Sequence, residues 1–198
     1  ICHAQEDYQT YSTSDVPGRL YAPPDAEDSS TPRPLILGLH GGGGIGSNNS
    51  GFTIDFTDLL AEAKRRKAYL YLPQAKSAFW HSSIRSSSII AQIDKAISDR
   101  NIDPNRIYIT GFSMGGGGTW DLLNLYPDRF AAAIPICGIA PRSGSIYQNV
   151  SGTPIWAFHA RNDPTVSVSN TRNIINGFLN AAELSLPSYP NSGDFFFE

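Results

Sequence analysis

Short apolar segments alternate along the chain with segments in which apolar residues recur at helical spacing. The short segments are predicted to be strands, and they are Leu35–Leu39, Ala68–Leu72, Arg106–Thr110, Ala131–Ile136, Ile155–His159 and Leu184–Tyr189. Helices are predicted around Phe56–Ala63, 85–100, Trp120–Leu125 and Ile174–Leu179. Surface turns are predicted at residues 23–34 and at Asp103-Pro104-Asn105.

This alternation predicts an α/β fold with a mostly parallel, twisted sheet covered by helices on both faces. In such sheets, ligands bind beyond the carboxyl ends of the strands. Candidate chemistry is therefore expected in the turns that follow Leu39, Leu72, Thr110, Ile136 and His159.

Composition narrows the class of protein. The 198 residues predict a single domain over 1–198, and 40% hydrophobic with 17% charged residues is a globular composition. A formal net charge of -3 gives no broad positive field, so no nucleic-acid partner is expected. No apolar run approaches the roughly 20 residues of a membrane-spanning helix. The chain also has no metal-ligand cluster and no dinucleotide fingerprint, so neither a metal nor a cofactor is expected.

The N-terminus and the cysteines leave alternatives open. The only methionine is Met114, so the chain is expected to be processed or excised. Residues 1–5 (ICHAQ) fit the tail of a signal peptide, which would make the protein secreted or periplasmic, or a cloning boundary of a cytoplasmic one. Cys137 lies in an apolar run and is interpreted as a buried thiol, with pairing to Cys2 left open.

Ser113 is the candidate nucleophile. It lies in Gly111-Phe112-Ser113-Met114-Gly115, between a predicted strand and a predicted helix. A serine on such a tight turn is held in a strained conformation with its hydroxyl exposed, and side chains two residues before and after it would collide with the strand and the helix. Glycines 115–118 would each cost up to ~1 kcal/mol in a purely structural helix, which favours this interpretation over a loop with an incidental serine.

The glycine run after the strand Leu35–Leu39 is the candidate oxyanion hole. Backbone N–H groups there can stabilise negative charge on a carbonyl oxygen, and we assign one donor to Gly42 or Gly43 and the other to Met114. A phosphate-binding loop would need a Lys-[Ser/Thr] that this sequence lacks, and a mobile glycine turn is the other alternative. His40, which opens the run, is interpreted as a residue that fixes the loop.

Asp163 is the candidate acid. It follows the strand Ile155–His159 and comes after Ser113, in the chain order Ser…Asp…His. A carboxylate there would orient a general base and stabilise its charged form. The alternative is a turn or helix-capping residue before Pro164.

Three stretches carry a family resemblance: NIDPNRIYITGFSMGG (101–116), FAAAIPICG (130–138) and IWAFHARNDPTV (155–166). They resemble the α/β-hydrolase esterases grouped with feruloyl esterases, polyhydroxybutyrate-depolymerase-like esterases and the phospholipase/carboxylesterase families. The resemblance spans about residues 33 to 190. It implies a cofactor-free carboxylic-ester hydrolase without a large lid, which forms an acyl-enzyme on small-molecule or polymer-linked esters with short-chain or aromatic acyl groups. It also places Trp80 and His81 either as lining of the substrate pocket or as a packed loop anchor with an exposed neighbour.

The sequence departs from the family pattern at its general base. The resemblance implies a catalytic His in a motif like Tyr-Pro-x-x-Gly-His-Asp, whereas residues 189–194 read YPNSGD. Three explanations are open: a truncated or imperfect C-terminal end, a base recruited from elsewhere such as His81, or a catalytically weak homologue that binds esters or glycans. Truncation fits best, because Phe195-Phe196-Phe197 is an unusual exposed end.

Overall fold

The computed structural model describes residues 7–12, 16–77, 80, 83–139 and 147–189, with the backbone alone for 83–85. Within these residues, six strands form one sheet: β1 (Gln9–Thr10), β2 (Gly18–Tyr21), β3 (Arg33–Leu39), β4 (Tyr69–Pro73), β5 (Ile102–Phe112) and β6 (Ala132–Ile136). The helices are α1 (Thr57–Arg65), α2 (Ser83–Asp99), α3 (Met114–Leu125) and α4 (Ser169–Ala181). Two short 3-10 helices, Gly42–Gly44 and Phe52–Phe56, precede α1.

The sheet has the strand order β1-β2-β4-β3-β5-β6. β1, β2 and β4 pair antiparallel, whereas β4, β3, β5 and β6 are parallel to their neighbours. The predicted α/β fold with a mostly parallel sheet is confirmed. None of the helices in the described ranges is long and apolar enough to cross a bilayer.

Both faces of the sheet are buried. Alternate residues of β4 belong to different hydrophobic clusters: Tyr69 and Tyr71 to one, and Leu70 and Leu72 to the other. The first cluster includes residues of α2, α3 and α4, and the second includes residues of α1. Strands in the middle of the sheet therefore carry continuous apolar runs, as the sequence predicted.

One predicted turn lies within a strand. The predicted turn at Asp103–Asn105 lies inside β5, where the pairing jumps from Arg33–Ile102 to Leu35–Ile107 and forms a bulge. The turn chemistry is present, since the Asn105 N–H donates to Asp103 Oδ1 at 2.9 Å, but it bends the strand without ending it.

The segment Leu184–Tyr189 was predicted to be a strand and is not one. Among the described residues, no strand pairs with it. The segment runs along α4 instead, where the Tyr189 hydroxyl lies 2.8 Å from Asn176 Oδ1 and 3.2 Å from Arg172 O. The predicted strand Ile155–His159 is extended and is joined to β6 by two isolated parallel bridges, at Ile155 and Phe158.

Candidate active site

Ser113 occupies a strained turn between β5 and α3. Its backbone has φ 54° and ψ -117°, in the positive-φ region that residues with a side chain rarely adopt. Such a conformation costs of order 1–3 kcal/mol and persists only where the surrounding structure holds it. Here the Ser113 N–H donates to Ile136 O of β6 at 2.9 Å, and Ser113 O accepts the Gly117 N–H of α3 at 3.0 Å. The turn therefore presents a partly exposed serine at the carboxyl edge of the sheet.

The glycines around Ser113 allow the helix to start against the sheet. A Cβ atom on Gly115 would lie 1.9 Å from Leu39 O, and one on Gly111 would lie 2.4 Å from Gly115 O. Both contacts are with backbone atoms, so no side-chain rearrangement could relieve them. The sequence predicted that side chains two residues before and two residues after the serine would collide with the strand and the helix, and the structure shows these collisions at Gly111 and Gly115.

The glycine loop after β3 lies beside this turn. β3 and β5 are neighbours with Leu39 opposite Gly111, and a Cβ atom on Gly41 would lie 2.6 Å from the ring of Phe112. Gly42 and Gly43 are exposed, with open space where their side chains would be. The structure thus brings together the two glycine motifs that the sequence placed on separate turns.

Three backbone donors face no protein acceptor in the described part of the chain. They are the N–H groups of Gly42 and Gly43, at the start of the 3-10 turn, and of Met114, the first residue of α3. Unsatisfied N–H groups and the positive end of the helix dipole favour negative charge at such a position. These amides have the chemistry of an oxyanion hole.

His40 holds the glycine loop in place. Its side chain is fully buried, and its Nε2 accepts the Ala75 N–H at 3.0 Å. Its Nδ1 must then carry the proton, which it donates to Gly41 O at 2.6 Å. Because both ring nitrogens are engaged, His40 has the loop-fixing arrangement that the sequence predicted.

Trp80 packs against this histidine. The indole is 1% exposed, and its Nε1–H donates to His40 O at 3.0 Å. The ring centroids of Trp80 and His40 are 4.8 Å apart. Of the two interpretations of Trp80, the packed anchor describes its contacts, since little of its surface is left for a ligand. His81 lies outside the described residues.

Asp163 lies in the turn after the extended segment 155–158. Its Oδ1 accepts the backbone N–H groups of Thr165 at 2.8 Å and Val166 at 2.9 Å, while Oδ2 lies 3.6 Å from Nε2 of His159. The N–H donors of Val166 and Thr165, and then His159, hold the pKa of the Asp163 carboxyl below its ordinary value. The carboxylate is therefore charged at neutral pH and stays charged to lower pH than an unperturbed aspartate. The turn-capping role and a catalytic role use different oxygens, so the geometry allows both.

His159 is engaged on both ring nitrogens. Nε2–H donates to Val166 O at 2.8 Å, and Nδ1 lies 2.7 Å from Thr171 Oγ1. Its side chain is 2% exposed. His159 therefore fixes the Asp163 turn, and its imidazole has no free nitrogen for a proton from Ser113.

Cys137 is a neighbour of Ser113 that the sequence did not assign to the site. It follows β6 directly, has φ 40°, and its N–H donates to Phe158 O at 2.7 Å. The pKa of its thiol is raised, mainly by burial and further by the nearby Asp163 carboxylate. The Ser113 N–H opposes this shift. The sequence could have indicated this place, because Cys137 directly follows Ile136 and so lies in a turn at the carboxyl edge of the sheet. Cys137 was predicted to be a buried thiol, and the structure shows it as a free thiol that is only partly buried. Cys2 lies outside the described residues, so the alternative of a bond between the two cysteines is not tested.

A cavity of about 440 Å³ lies elsewhere, between α3 and α4. Trp120, Ile155 and Phe178 are among its lining residues, and none of the lining residues belongs to the Ser113 or glycine turns. An ester carbonyl in this cavity would not meet the nucleophile. Among the described residues, no group of three or more His, Cys, Asp or Glu side chains is arranged to bind a metal.

The sheet is mostly parallel, and a strained serine lies between a strand and a helix. Beside it lie glycine amides with no acceptor among the described residues. This combination defines the α/β-hydrolase class of serine hydrolases. Comparison with known families agrees, since the model of the "Dienelactone hydrolase family" matches residues 50–198. The chain belongs to the dienelactone hydrolase family.

Individual relatives and structures are esterases by name. The chain is 28% identical over 195 residues to a protein of Aspergillus terreus named "Probable feruloyl esterase C", covering 93% of this chain and 70% of that protein. It is 29% identical over 119 residues to "Poly(3-hydroxyalkanoate) depolymerase C" of Paucimonas lemoignei, covering 53% of this chain and 28% of that protein. The structure of a thermostable esterase superposes with a TM-score of 0.76 at 30% identity, covering 90% of this chain and 53% of that one. The acetyl xylan esterase from Aspergillus awamori shares the fold, with a TM-score of 0.74 at 17% identity, over 93% of this chain and 83% of that one.

Proposed function

We propose that this chain is a carboxylic-ester hydrolase that works through an acyl-enzyme on Ser113. The observation that carries the proposal is the positive-φ serine beside three backbone N–H groups that have no acceptor among the described residues. In this scheme Ser113 Oγ attacks the ester carbonyl carbon and gives up its proton, and the carbonyl oxygen becomes an oxyanion bound by the amides of Met114 and Gly42 or Gly43. The alkoxide leaves with a proton, and water then hydrolyses the acyl-serine and regenerates the hydroxyl.

Asp163 is assigned the role of the orienting carboxylate. Its Oδ2 is not used by the turn that Oδ1 caps, and the lowered pKa of this carboxyl keeps it charged at neutral pH. A charged carboxylate stabilises a protonated base during acylation. The base itself is unassigned, since His40 and His159 are engaged elsewhere and His3 and His81 lie outside the described residues.

The proposed substrates are esters of short-chain or aromatic carboxylic acids, free or linked to a polymer. The names of the relatives support this class, because they include a feruloyl esterase, a poly(3-hydroxyalkanoate) depolymerase and a bifunctional acetylxylan esterase/xylanase. Gly42 and Gly43 are also exposed, and no described atom lies within 4 Å of a Cβ built on either residue, which is compatible with a bulky ester next to these amides.

A second candidate function is ester or glycan binding without efficient turnover. It is favoured by one observation, the absence of a histidine from residues 189–194. It is opposed by the retention of Ser113, the glycine loop and Asp163, which a binding module would not need in this geometry.

Trapping the acyl-enzyme separates the two functions. The protein is mixed with p-nitrophenyl acetate or with the p-nitrophenyl ester of ferulic acid, quenched in acid and mapped by mass spectrometry. We expect nitrophenol release together with an acetyl or feruloyl group on the peptide that contains Ser113. Binding of the ester without acylation above the level of the Ser113→Ala variant would support the second function and contradict the first.

A further inference from the structure

Gln74 is a buried polar residue that lies directly after β4. Its side chain is 2% exposed, and its backbone N–H donates to Pro17 O at 2.7 Å. Like the residues that follow β3 and β5, it stands at the carboxyl edge of the sheet, where ligands bind in parallel α/β folds. Neither the predicted triad nor the oxyanion donors include it.

The side-chain amide of Gln74 is fully occupied by one loop. Nε2–H groups donate to Gly44 O at 3.1 Å and to Asn48 Oδ1 at 3.3 Å, and Oε1 accepts the Asn49 N–H at 2.7 Å. The contacted residues all lie between 44 and 49, in the continuation of the glycine loop. Gln74 thus satisfies three polar groups beneath that loop with protein hydrogen bonds.

This loop carries the proposed oxyanion donors. Gly44 is the last residue of the 3-10 turn that exposes the N–H groups of Gly42 and Gly43. The next residue of the β4 extension, Ala75, adds two further links, because its O accepts the Gly46 N–H at 2.8 Å and its N–H donates to His40 at 3.0 Å. The loop is therefore held from one side by Gln74 and Ala75.

The other end of the loop is fixed to the antiparallel part of the sheet. Asn49 has φ 59°, and its Nδ2 donates to Gly18 O at 2.8 Å, while Arg19 Nε–H donates to Asn49 O at 2.8 Å. Gln74 is the side chain that connects this anchored end to Gly44. Displacing it would loosen the 3-10 turn at Gly44 and leave the turn held by Ala75 and His40, whereas the distant end would stay attached to β2.

The chemistry of the site requires an amide at position 74. Two loop acceptors and one loop donor must be satisfied at the same time, and a glutamine side chain supplies two N–H groups and one carbonyl oxygen. A methionine of similar volume supplies none of them and leaves Gly44 O and the Asn49 N–H without partners in a buried place. A glutamate supplies only acceptors when ionised, so its second oxygen would face Gly44 O and Asn48 Oδ1.

We propose that Gln74 is a positioning residue of the oxyanion hole, which fixes the glycine loop so that the Gly42 and Gly43 amides point at the oxyanion of the ester-hydrolysis transition state. This inference rests on the proposed function for the identity of the reaction. It assigns Gln74 no contact with the substrate.

The first test compares Gln74→Met with Gln92→Met. Gln92 is a matched control because it is 1% exposed, lies on α2 and has no hydrogen-bond partner for its amide among the described residues. For Gln74→Met we expect kcat on a short nitrophenyl ester to fall about 10- to 100-fold with KM changed less than about twofold, since misplaced donors weaken the transition state more than the ground state. A kcat equal to that of Gln92→Met would overturn the proposal.

Gln74→Glu adds a readout that a merely structural role would not move. Burial raises the pKa of a carboxyl group, and the protonated acid regains one donor toward the loop. We expect the ratio of the variant kcat to the wild-type kcat to rise as the pH is lowered from 8 to 5. A ratio that does not change with pH would contradict the assigned hydrogen bonds.

Amide hydrogen exchange tests the role of Gln74 independently of whether the chain hydrolyses esters. If the wild-type chain hydrolyses esters no faster than Ser113→Ala, the proposed function fails, and the exchange of residues 42–49 still tests the role of Gln74. We expect the hydrogen-bonded amides of this loop to exchange at least about tenfold faster in Gln74→Met than in the wild type or in Gln92→Met; these are the amides of Gly44, Ile45, Gly46 and Asn49. Unchanged exchange in this loop would overturn the positioning role whatever the activity.

Discussion

Replacing Ser113 with alanine is expected to lower kcat/KM for a short-chain nitrophenyl ester by at least about 1,000-fold. The variant keeps the oxyanion amides and the ester-binding surface, and so retains only the residual rate that these provide. The alanine side chain fits the same turn, because the bonds from Ser113 N–H to Ile136 O and from Gly117 N–H to Ser113 O are made by the backbone. Steady-state kinetics with initial rates corrected for spontaneous hydrolysis measure the effect.

Ser151→Ala is the matched control for this prediction. Ser151 is exposed and lies in the loop that leads to the segment 155–158, away from the carboxyl edge of the sheet. Its replacement is expected to change kcat/KM by less than about twofold. Equal rates for Ser113→Ala and the wild type would remove the basis for calling Ser113 the nucleophile.

Replacing Asp163 with asparagine is expected to lower kcat about 100-fold or more with little loss of stability. Asparagine retains the Oδ1 acceptor for the Thr165 and Val166 N–H groups, so the turn stays capped, but the negative charge is lost. A protonated base then lacks its stabilising partner. Ester kinetics and thermal unfolding, measured on the same preparation, separate the catalytic effect from the structural one.

Asp103→Asn provides the control for the loss of charge. Asp103 Oδ1 accepts the Asn105 N–H at 2.9 Å in a similar turn, but at the amino end of β5, and neighbouring donors also lower the pKa of this carboxyl. Both variants are expected to lose similar, small amounts of stability at neutral pH. If Asp163→Asn also leaves kcat within about twofold of Asp103→Asn, then Asp163 only caps its turn.

The local features of the site could be predicted from the sequence because glycine leaves a strong local signal. The Ser113 turn needs glycine at 111 and 115, because a Cβ atom there would lie 2.4 and 1.9 Å from backbone oxygens. Both glycines and the serine fall within five consecutive residues, so a local motif is enough to predict the turn. The same holds for the buried strands, since a run such as Tyr69–Leu72 is buried on both faces and is apolar throughout.

Features that depend on distant partners could not be predicted. Gln74 follows a buried strand, but its role depends on acceptors and donors 25 to 30 positions earlier in the chain. Leu184–Tyr189 has the alternation of a strand but pairs with no strand among the described residues, and no local pattern reveals this. The position of Cys137 next to the Ser113 N–H and near Asp163 likewise follows from strand order and not from spacing in the sequence.

Covalent labelling with a fluorophosphonate tests the central claim most directly, because a fluorophosphonate reacts with an activated serine and does not require turnover. We expect one phosphonyl adduct per chain, mapped by peptide mass spectrometry to Ser113 and absent from the folded Ser113→Ala variant. A wild-type protein that stays unlabelled at Ser113, or a Ser113→Ala variant labelled to the same extent, would contradict the assignment of Ser113 as the nucleophile of a serine hydrolase.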